Sequence, residues 1–349
     1  MSKYLISILS LLLSLSIQAQ LKFQTLFESN SESSVSCFRI PSLTTSNSGV
    51  LLAAIDERVN SCKDLRDNQD INIVMKRSLD NGKTWSVSKK IVDYPYGESA
   101  SDPSFIVDKF TKNIFLFFNY MDHKNNNGFY RFKYIKSNDD GNSWSKPVDI
   151  TNEISMPHWK KDFMFITSGK GYQTADGLLL HTVVNLENGT HVFGSKNHGE
   201  SWFLVKSPLI PGDESKIIEL ANKNWMVNSR VNGYGKRFIH LSSDRGNTWE
   251  SNVSEELNDP GCNASLIRFN DKIILFSNVN NSKNRENLTI RISQDEGVSW
   301  SESKTIYKGS AAYSSMSVLQ NGEVGIFFEI DNYKKNVFAK FTFEWLDNF

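Results

Sequence analysis

Ser78-Leu79-Asp80-Asn81-Gly82-Lys83-Thr84-Trp85 is one copy of a pattern that occurs five times in this 349-residue chain. The pattern is Ser-x-Asp-x-Gly-x-(Ser/Thr)-Trp, and the third copy carries Asn in place of Asp. Successive copies start 59, 58, 47 and 51 residues apart, and a period of this size predicts a repeat architecture. The other copies are Ser137 to Trp144, Ser195 to Trp202, Ser242 to Trp249 and Ser293 to Trp300.

The residue types of the pattern predict a reinforced hairpin turn. Ser and Asp side chains can hydrogen-bond nearby backbone N–H groups, and Gly can take a positive φ. Trp buries a large apolar face. Each copy follows a short strand-like run such as Ile71 to Arg77 and precedes a polar extended segment. Because Asn197 replaces the aspartate, the third turn should be held somewhat differently.

Short alternating runs separated by Gly, Asn and Asp dominate the chain, which predicts an all-β fold. Residues 38–92 read as four strands joined by three turns, the last of them a box, and this cycle repeats. A sixth cycle begins at Tyr313 and has no box. The N-terminal run Leu21 to Leu26 can supply its missing outer strand. We therefore predict a six-bladed β-propeller formed by residues 20–349 as a single domain.

Composition excludes some function classes. The chain has 39 basic and 39 acidic residues, and zero net charge argues against nucleic-acid and membrane-surface partners. Residues 1–19 contain Lys3 and an apolar segment, which predicts a secretory signal peptide and an exported protein. A membrane anchor is the other reading, but the segment is short for a span. No second hydrophobic span follows. Of the three cysteines, Cys37 and Cys62 could form a disulfide, but buried free thiols are an equally good reading.

The topology separates two faces of the predicted propeller. In each blade the box lies on the same face as the turn between the first two strands, and the remaining loops form the opposite face. Arginines self-repel unless they bind an anion, and Arg is suited to gripping a carboxylate with paired hydrogen bonds. Nine residues are predicted to converge on that opposite face, although Glu219 sits lower, near a turn: Arg39, Arg58, Asp64, Asp102, Glu219, Arg230, Arg285, Tyr313 and Glu329.

These residues carry a family resemblance. Phe38-Arg39-Ile40-Pro41 followed by the boxes resembles the exo-α-sialidases of the bacterial and animal type. Further matching blocks occur in the expected order, including Ser101-Asp102-Pro103-Ser104, Asn228-Ser229-Arg230 and Ala312-Tyr313-Ser314. The resemblance covers the whole chain after the signal. The boxes alone are not specific, because non-enzymatic propellers carry them too.

The resemblance implies a role for each residue. Arg39, Arg230 and Arg285 resemble the triad that binds the sialic acid carboxylate, and Glu329 resembles the carboxylate that steadies Arg39. Arg58 resembles the arginine near the 4-hydroxyl, and Asp102 the aspartate near the acetamido group. Tyr313 matches the nucleophile, Glu219 its base, and Asp64 the general acid. Asp67 is the competing acid, and a buried structural glutamate is the other reading of Glu219.

The expected activity is hydrolysis of terminal α-linked sialic acid from oligosaccharides, glycoproteins and glycolipids, with retention of configuration, no cofactor and no metal. A neutral phenol can approach an anomeric carbon that carries a carboxylate, whereas an anionic nucleophile is repelled. A monomer is expected. Two alternatives remain open, namely a trans-sialidase or anhydro-forming sialidase and a non-catalytic glycan-binding propeller. Linkage preference and the role of the Met156-Pro157-His158-Trp159 loop are open too.

Overall fold

The computed structural model describes residues 21–29, 34–125, 128–159, 162–300 and 304–347. The predicted signal peptide, residues 1–19, lies outside them. The described segments form strands β1 to β25, one 3-10 turn at Pro157–Trp159 and one short helix, α1, at Phe343–Asp347. The prediction of an all-β protein is therefore confirmed.

The strands form successive antiparallel units that follow one another along the chain. The first strand, β1 (Gln24–Glu28), stands apart from the unit that follows it. The first unit contains β2 (Val35–Thr45), β3 (Leu51–Val59), β4 (Ile71–Ser78) and β5 (Lys89–Val92). The second contains β6 (Glu98–Val107), β7 (Ile114–Asp122), β8 (Arg131–Ser137) and β9 (Val148–Asp149), joined by β11 (Gly169–Lys170) in parallel with β6.

The third unit contains β10 (Met164–Ile166), β12 (Tyr172–Gln173), β13 (Leu179–Asn185), β14 (Gly189–Ser195) and β15 (Phe203–Leu204). The fourth contains β16 (Ser215–Glu219), β17 (Trp225–Ser229), β18 (Lys236–Ser242) and β19 (Glu250–Asn258). The remaining strands belong to one continuous sheet with β1, namely β20 (Ser265–Arg268), β21 (Ile274–Val279), β22 (Glu286–Ser293), β23 (Lys304–Val318), β24 (Val324–Ile330) and β25 (Lys335–Phe341).

The long strand β23 joins two units into this seven-stranded sheet. Its first half pairs with β22, and its second half, from Ala311 onward, pairs with β24. At the far edge β1 pairs antiparallel with β25, with Gln24 opposite Phe338. The prediction that an N-terminal segment supplies the missing outer strand is confirmed.

The box turns lie where the sequence predicted them. Each begins at the last residue of the third strand in its unit, as Ser78 both ends β4 and starts the first box. The Ser78 hydroxyl accepts the Gly82 N–H at 2.9 Å, and the Asp80 carboxylate accepts both the N–H and the hydroxyl of Thr84. In the third box Asn197 replaces the aspartate, and the direction of one hydrogen bond is reversed. The Asn197 amide donates to the Ser201 hydroxyl at 2.9 Å.

The units pack face to face, so their central strands are buried on both sides. In β7 every residue from Ile114 to Met121 is buried, which is why this strand reads as an apolar run interrupted by Asn119. The first strands of neighbouring units also contact one another, and β2 touches both β6 and β23. Their starting ends therefore meet at one face of the molecule.

The cysteine alternatives are resolved by the structure. Cys37 and Cys62 form a disulfide with a Cα–Cα distance of 5.6 Å, and Cys262 is a buried free thiol. The disulfide ties the start of β2 to the loop that follows β3, which carries Asp64.

Candidate active site

A cavity of about 330 Å³ opens where the first strands of the units begin, at the end remote from the box turns. Seven of the nine predicted residues line it: Arg39, Arg58, Asp64, Asp102, Arg230, Arg285 and Tyr313. Glu329 is fully buried and bonded to Arg39, and Glu219 lies elsewhere. The cavity therefore gathers charged side chains from segments that are far apart in sequence.

Three first strands carry a β-bulge where they meet the cavity. Register shifts occur between Arg39 and Ser42, between Ser101 and Ser104, and between Ala311 and Ser314. Pro41 and Pro103 occupy two of these shifts, and proline cannot donate a ladder hydrogen bond. A bulge re-aims the neighbouring side chains. The bulges thus place Arg39, Asp102 and Tyr313 at the cavity.

Buried carboxylates stabilise the bulged backbone. Ile40 has φ of 67° and Asp102 has φ of 63°, which is an unfavourable region for residues other than glycine. The Ile40 N–H donates to Glu329 at 2.9 Å, and the Asp102 N–H donates to Asp56 at 3.0 Å. The second oxygen of Glu329 accepts the Tyr313 N–H at 3.1 Å. Glu329 therefore fixes two of the three bulges.

Arg39 is held by an ion pair and by an aromatic ring. Its Nε donates to Glu329 at 2.7 Å, and its guanidinium lies 3.9 Å from the centre of the Tyr333 ring. Burial alone would lower the pKa of Arg39, but Glu329 and Tyr313 outweigh it and raise the pKa above its usual value. Arg39 is thus a fixed cation that faces the cavity.

Tyr313 meets a glutamate that the sequence analysis did not select. Its hydroxyl donates to Glu214 Oε2 at 2.7 Å, and Arg230 donates to the same carboxylate oxygen at 2.5 Å. Arg230 also donates to the Tyr313 oxygen at 3.1 Å. Burial and Glu214 raise the pKa of Tyr313 well above 10, although Arg230 and Arg285 oppose this rise. A base is therefore needed to ionise this phenol near neutral pH.

The structure does not bring Glu219, the predicted base, to Tyr313. Glu219 ends β16 opposite Trp225, close to the box side of the fourth unit, and accepts the Ala175 N–H at 3.0 Å. Glu214 precedes the same strand and so lies at the other end, about 16 Å away by strand rise. Asp102 lies just before the regular pairing of the first strand in its unit. Glu214 lies at the equivalent place in the fourth unit, so counting along the strand in the same way would have selected Glu214.

Arg230 and Arg285 complete a group of three guanidiniums around Tyr313. Arg230 follows β17, and Asn232 accepts its Nε–H at 2.8 Å. Arg285 donates to the Gly261 carbonyl at 3.0 Å and to the Tyr333 hydroxyl at 3.3 Å. Its guanidinium lies 5.5 Å from the centre of the Tyr313 ring. The guanidiniums at the cavity therefore retain N–H groups that can donate hydrogen bonds to a bound anion.

Arg58 links a buried carboxylate to an exposed one. It donates to Asp56 at 3.1 Å and to Asp64 at 2.7 Å, and the Asp64 side chain is 79% exposed. Desolvation pushes the pKa of Asp64 upward, but Arg58 outweighs it and lowers that pKa below its usual value. Asp67, the competing residue, does not line the cavity. Asp64 therefore sits at the rim, within reach of water.

Asp102 is a buried carboxyl group with a different character. One oxygen accepts the Asn119 amide at 2.9 Å. Burial first, and the nearby Asp56 second, raise the pKa of Asp102 well above its usual value. Burial likewise raises the pKa of Asp56 to about 6. A neutral carboxyl at this point suits an uncharged polar part of a ligand.

The cavity also has an apolar wall, formed by Leu65, Tyr130, Phe163 and Phe165. Tyr130 also borders a wider cavity of about 670 Å³ lined by Met156, Pro157 and Trp159. The Met156 to Trp159 loop thus neighbours the site. A cavity lined by both polar and apolar side chains suits a ligand with both kinds of surface.

No group of three or more His, Cys, Asp or Glu side chains in the described segments is arranged to hold a metal ion. Across those same segments, no helix has both the length and the apolar character required to cross a membrane.

Comparisons with known proteins place this arrangement in a class. Residues 63–326 match a family model described as a BNR repeat-like domain, and the fold is propeller-like. The chain is 30% identical over 328 residues to a sialidase of Bacteroides fragilis, covering 84% of this chain and 60% of that protein. It is 30% identical over 343 residues to a sialidase of Micromonospora viridifaciens, covering 88% and 52%. The chain therefore belongs to the family of sialidases with BNR repeats.

Solved structures agree with this assignment. The Hadza microbial sialidase Hz136 superposes with a TM-score of 0.81 at 27% identity, covering 91% of this chain and 68% of that one. An intramolecular trans-sialidase from Ruminococcus gnavus superposes with a TM-score of 0.80 at 20% identity, covering 92% and 97%. The second likeness concerns the fold alone. The chain spans little more than half the length of the two bacterial sialidases compared above by sequence.

Proposed function

We propose that this protein is an exo-α-sialidase that hydrolyses terminal α-linked sialic acid from oligosaccharides, glycoproteins and glycolipids. The observation that carries the proposal is the Tyr313 hydroxyl, bonded to Glu214 at 2.7 Å and flanked by Arg39, Arg230 and Arg285. Three guanidiniums suit a carboxylate ligand, and a phenol with an adjacent base suits attack on a carbon that bears that carboxylate.

The reaction is proposed to begin at Tyr313. Its oxygen attacks the anomeric carbon while Glu214 takes the phenolic proton, since this phenol does not ionise by itself near neutral pH. Asp64 gives a proton to the departing glycosidic oxygen. Because Arg58 lowers the pKa of Asp64 in the free protein, this step requires the bound sugar to exclude water from Asp64 and raise that pKa. The bond between the anomeric carbon and that oxygen breaks, and a bond to Tyr313 forms.

The second step returns the enzyme to its starting state. Asp64, now a carboxylate, takes a proton from water, which attacks the anomeric carbon from the side the leaving group vacated. The bond to Tyr313 breaks and Glu214 returns the proton to the phenol. Two inversions give net retention. The exposure of Asp64 favours water as the acceptor.

The other cavity residues are proposed to position the sugar. Arg39, held by Glu329, joins Arg230 and Arg285 on the carboxylate. Arg58 serves the 4-hydroxyl region, and Asp102 contacts the acetamido group beside the apolar wall. The reaction as proposed needs no cofactor and no metal. The whole protein is proposed to be a monomeric six-bladed propeller, exported after removal of residues 1–19.

The proposal is tested by release of sialic acid from α2,3-, α2,6- and α2,8-linked substrates between pH 4 and 8. Wild-type protein should release sialic acid from at least one linkage, and Tyr313→Phe should lower kcat by about 10³-fold or more. NMR of the products with added galactoside separates hydrolysis from transfer and from anhydro-sugar formation. A wild-type protein with no release at any pH would overturn the proposal. A wild type and Tyr313→Phe of equal activity would overturn the role of Tyr313.

A further inference from the structure

The box side of the molecule holds a cavity of about 210 Å³, which we call the inner cavity. Arg39 and Thr44 are five residues apart in β2, so roughly 16 Å of strand separates the inner cavity from the candidate active site. The inner cavity is therefore a separate site. The first strands of four units end at it, namely at Thr45 of β2, Val107 of β6, Arg268 of β20 and Val318 of β23.

The charged side chains that line the inner cavity are all cations. They are Lys109, Lys170 and Arg268, and no described Asp or Glu lines the cavity with them. Arg268 is paired with Glu296 at 2.6 Å. In the described segments no carboxylate lies within 4 Å of Lys109 or Lys170 to compensate its charge. Like charges that share a cavity repel each other, so the inner cavity favours a negative ligand.

The carboxylate beside Lys109 in the sequence is used elsewhere. Asp108 is fully buried, and it accepts the Thr111 hydroxyl at 2.6 Å and the Gln173 amide at 2.7 Å. It also contacts the His198 ring nitrogen at 2.9 Å and does not line the inner cavity. The described neighbours therefore leave the positive charge of the inner cavity unbalanced.

Two donors that line the inner cavity lack a good acceptor. The half-buried Lys170 ammonium has one long hydrogen bond, to the Ser317 hydroxyl at 3.3 Å. Burial and then Lys109 lower the pKa of Lys170 to about 8, so most of the amine is charged at pH 7. Thr44 is fully buried, and its hydroxyl has no hydrogen-bond partner among the described residues. Buried polar groups are costly without a partner, and an oxyanion can accept hydrogen bonds from both donors.

The size and surroundings of the inner cavity favour a small ligand that arrives from the box side. Pockets for drug-sized ligands measure about 300 to 1,000 Å³, so a cavity of about 210 Å³ suits a smaller molecule. The inner cavity adjoins a wider one of about 600 Å³. Four residues line both cavities, namely Lys109, Tyr172, Gln173 and Arg268.

We propose that the inner cavity binds a small oxyanion, such as sulfate, phosphate or a short carboxylate, through the Lys170 ammonium and the Thr44 hydroxyl. The proposal does not depend on sialidase activity, because neither residue lines the candidate active site. Thr44 belongs to β2 of the first unit, and Lys170 belongs to β11, which pairs with β6 of the second. An anion held by both side chains joins the two units and stabilises the fold by mass action.

Calorimetric titration of the protein with sulfate and with acetate at pH 7 tests the proposal. The wild type should bind at least one of these anions, and the one bound more tightly identifies the class of ligand. Lys170→Met should weaken that binding by about tenfold or more, because it removes a charged hydrogen-bond donor. Thr44→Val should weaken it by a smaller factor.

Two control variants show where the anion binds. Lys223→Met should leave the affinity unchanged, because Lys223 is an exposed lysine on the same face that is paired with Glu219 at 3.4 Å. Arg285→Ala should retain the binding that depends on Lys170, although sulfate can also bind the arginines of the candidate active site. Binding that is lost in Arg285→Ala and unchanged in Lys170→Met would overturn the proposal.

Melting temperatures distinguish a ligand-binding lysine from a structural one. Without added anion, Lys170→Met should melt at or above the wild-type temperature, because Met keeps most of the shape and removes an unpaired charge. Sulfate should raise the melting temperature of the wild type more than that of Lys170→Met, and the general effect of sulfate is common to both. A lower melting temperature with an equal response to sulfate would make Lys170 structural and overturn the proposal.

A measurement on the wild type alone locates the ligand directly. Selenate has the shape and charge of sulfate, and its selenium is visible by anomalous diffraction in soaked crystals. We expect a selenium peak in the inner cavity, with an oxygen at hydrogen-bond distance from the Lys170 ammonium. Selenate found only at the arginines of the candidate active site, together with calorimetry that shows no effect of Lys170→Met, would overturn the proposal.

Discussion

At the scale of single residues, two glutamates at opposite ends of β16 offer a matched comparison. Glu214 accepts the Tyr313 hydroxyl, whereas Glu219 bonds the Ala175 backbone near the box side. Glu214→Gln should lower kcat by about 10²- to 10⁴-fold, because Gln cannot take the phenolic proton. Glu219→Gln should leave kcat within a few-fold of the wild type. Steady-state kinetics on sialyllactose check both variants, and the reverse order of effects would restore Glu219 as the base.

Asp64 can be tested through the leaving group. Lactose is a poor leaving group and needs a proton, whereas a nitrophenolate leaves without one. Asp64→Asn should therefore lower kcat/KM by about 10²-fold or more on sialyllactose and far less on a nitrophenyl sialoside.

Asp67→Asn supplies the control, since Asp67 lies three residues further along the same loop and does not line the cavity. Equal losses on the two substrates in Asp64→Asn would show that Asp64 is not the proton donor.

The sequence predicted most of the residues at the cavity but not Glu214, which accepts the Tyr313 hydroxyl. Seven residues were located at the cavity because strand counting gives the end of the strand at which a side chain lies. Glu219 was assigned as the base from the family resemblance, with Arg230 downstream of it, although strand counting placed it lower, near a turn. Asp56 was missed because its role, accepting the Asp102 N–H, depends on a contact between two units.

At the scale of elements, the box turn gives a prediction that depends on pH. Hydrogen bonds from Thr84, and then from Ser78, lower the pKa of Asp80 to about 2. A carboxylate with a depressed pKa stabilises the fold above the unfolded value near 4, and that stability is lost as pH falls toward 2. Asp80→Asn should therefore lower the melting temperature at pH 7 but have little effect at pH 2, with kcat unchanged at pH 7.

The third box provides the converse experiment within the same molecule. Asn197 forms the same turn with one bond reversed, so Asn fits the turn geometry. Asn197→Asp should raise the melting temperature at pH 7. If the difference in melting temperature between Asp80→Asn and the wild type persists unchanged at pH 2, the charge of the Asp80 carboxylate is not the cause of that difference.

The sequence predicted the strands and box turns better than it predicted the β-bulges. Alternation and turn residues located the strands and boxes, since those signals are local in sequence. The three bulges depend on buried carboxylates from other strands, such as Glu329 of β24 on Ile40 and Tyr313. Pro41 and Pro103 marked two of the bulges in the sequence, but nothing local marked the one at Tyr313.

At the scale of the whole molecule, β1 joins the two ends of the chain. It pairs with β25, and its Leu26 carbonyl accepts the Lys76 ammonium of β4 at 2.6 Å. Phe27 is 4% exposed and packs against Phe38 and Phe327. Phe27→Ala should lower the free energy of unfolding by about 3 kcal/mol or more. Urea unfolding measures the change, and hydrogen exchange should quicken in both the first and last units.

Phe110→Ala is the control for that experiment, because Phe110 is 63% exposed and its loss should change stability little. Faster exchange confined to β1 and β25 would contradict the role of β1 in joining the two ends.

The central claim is that Tyr313 forms a covalent bond to the sugar with Glu214 as its base. The most direct measurement is peptide mass spectrometry after incubation with 2,3-difluorosialic acid, because the fluorine at C3 slows hydrolysis of the intermediate while the fluoride at the anomeric C2 still leaves. We expect an adduct on the peptide that contains Tyr313, none in Tyr313→Phe, and much slower labelling in Glu214→Gln. Labelling of a different residue, or turnover of sialyllactose with no adduct under any condition, would contradict this claim.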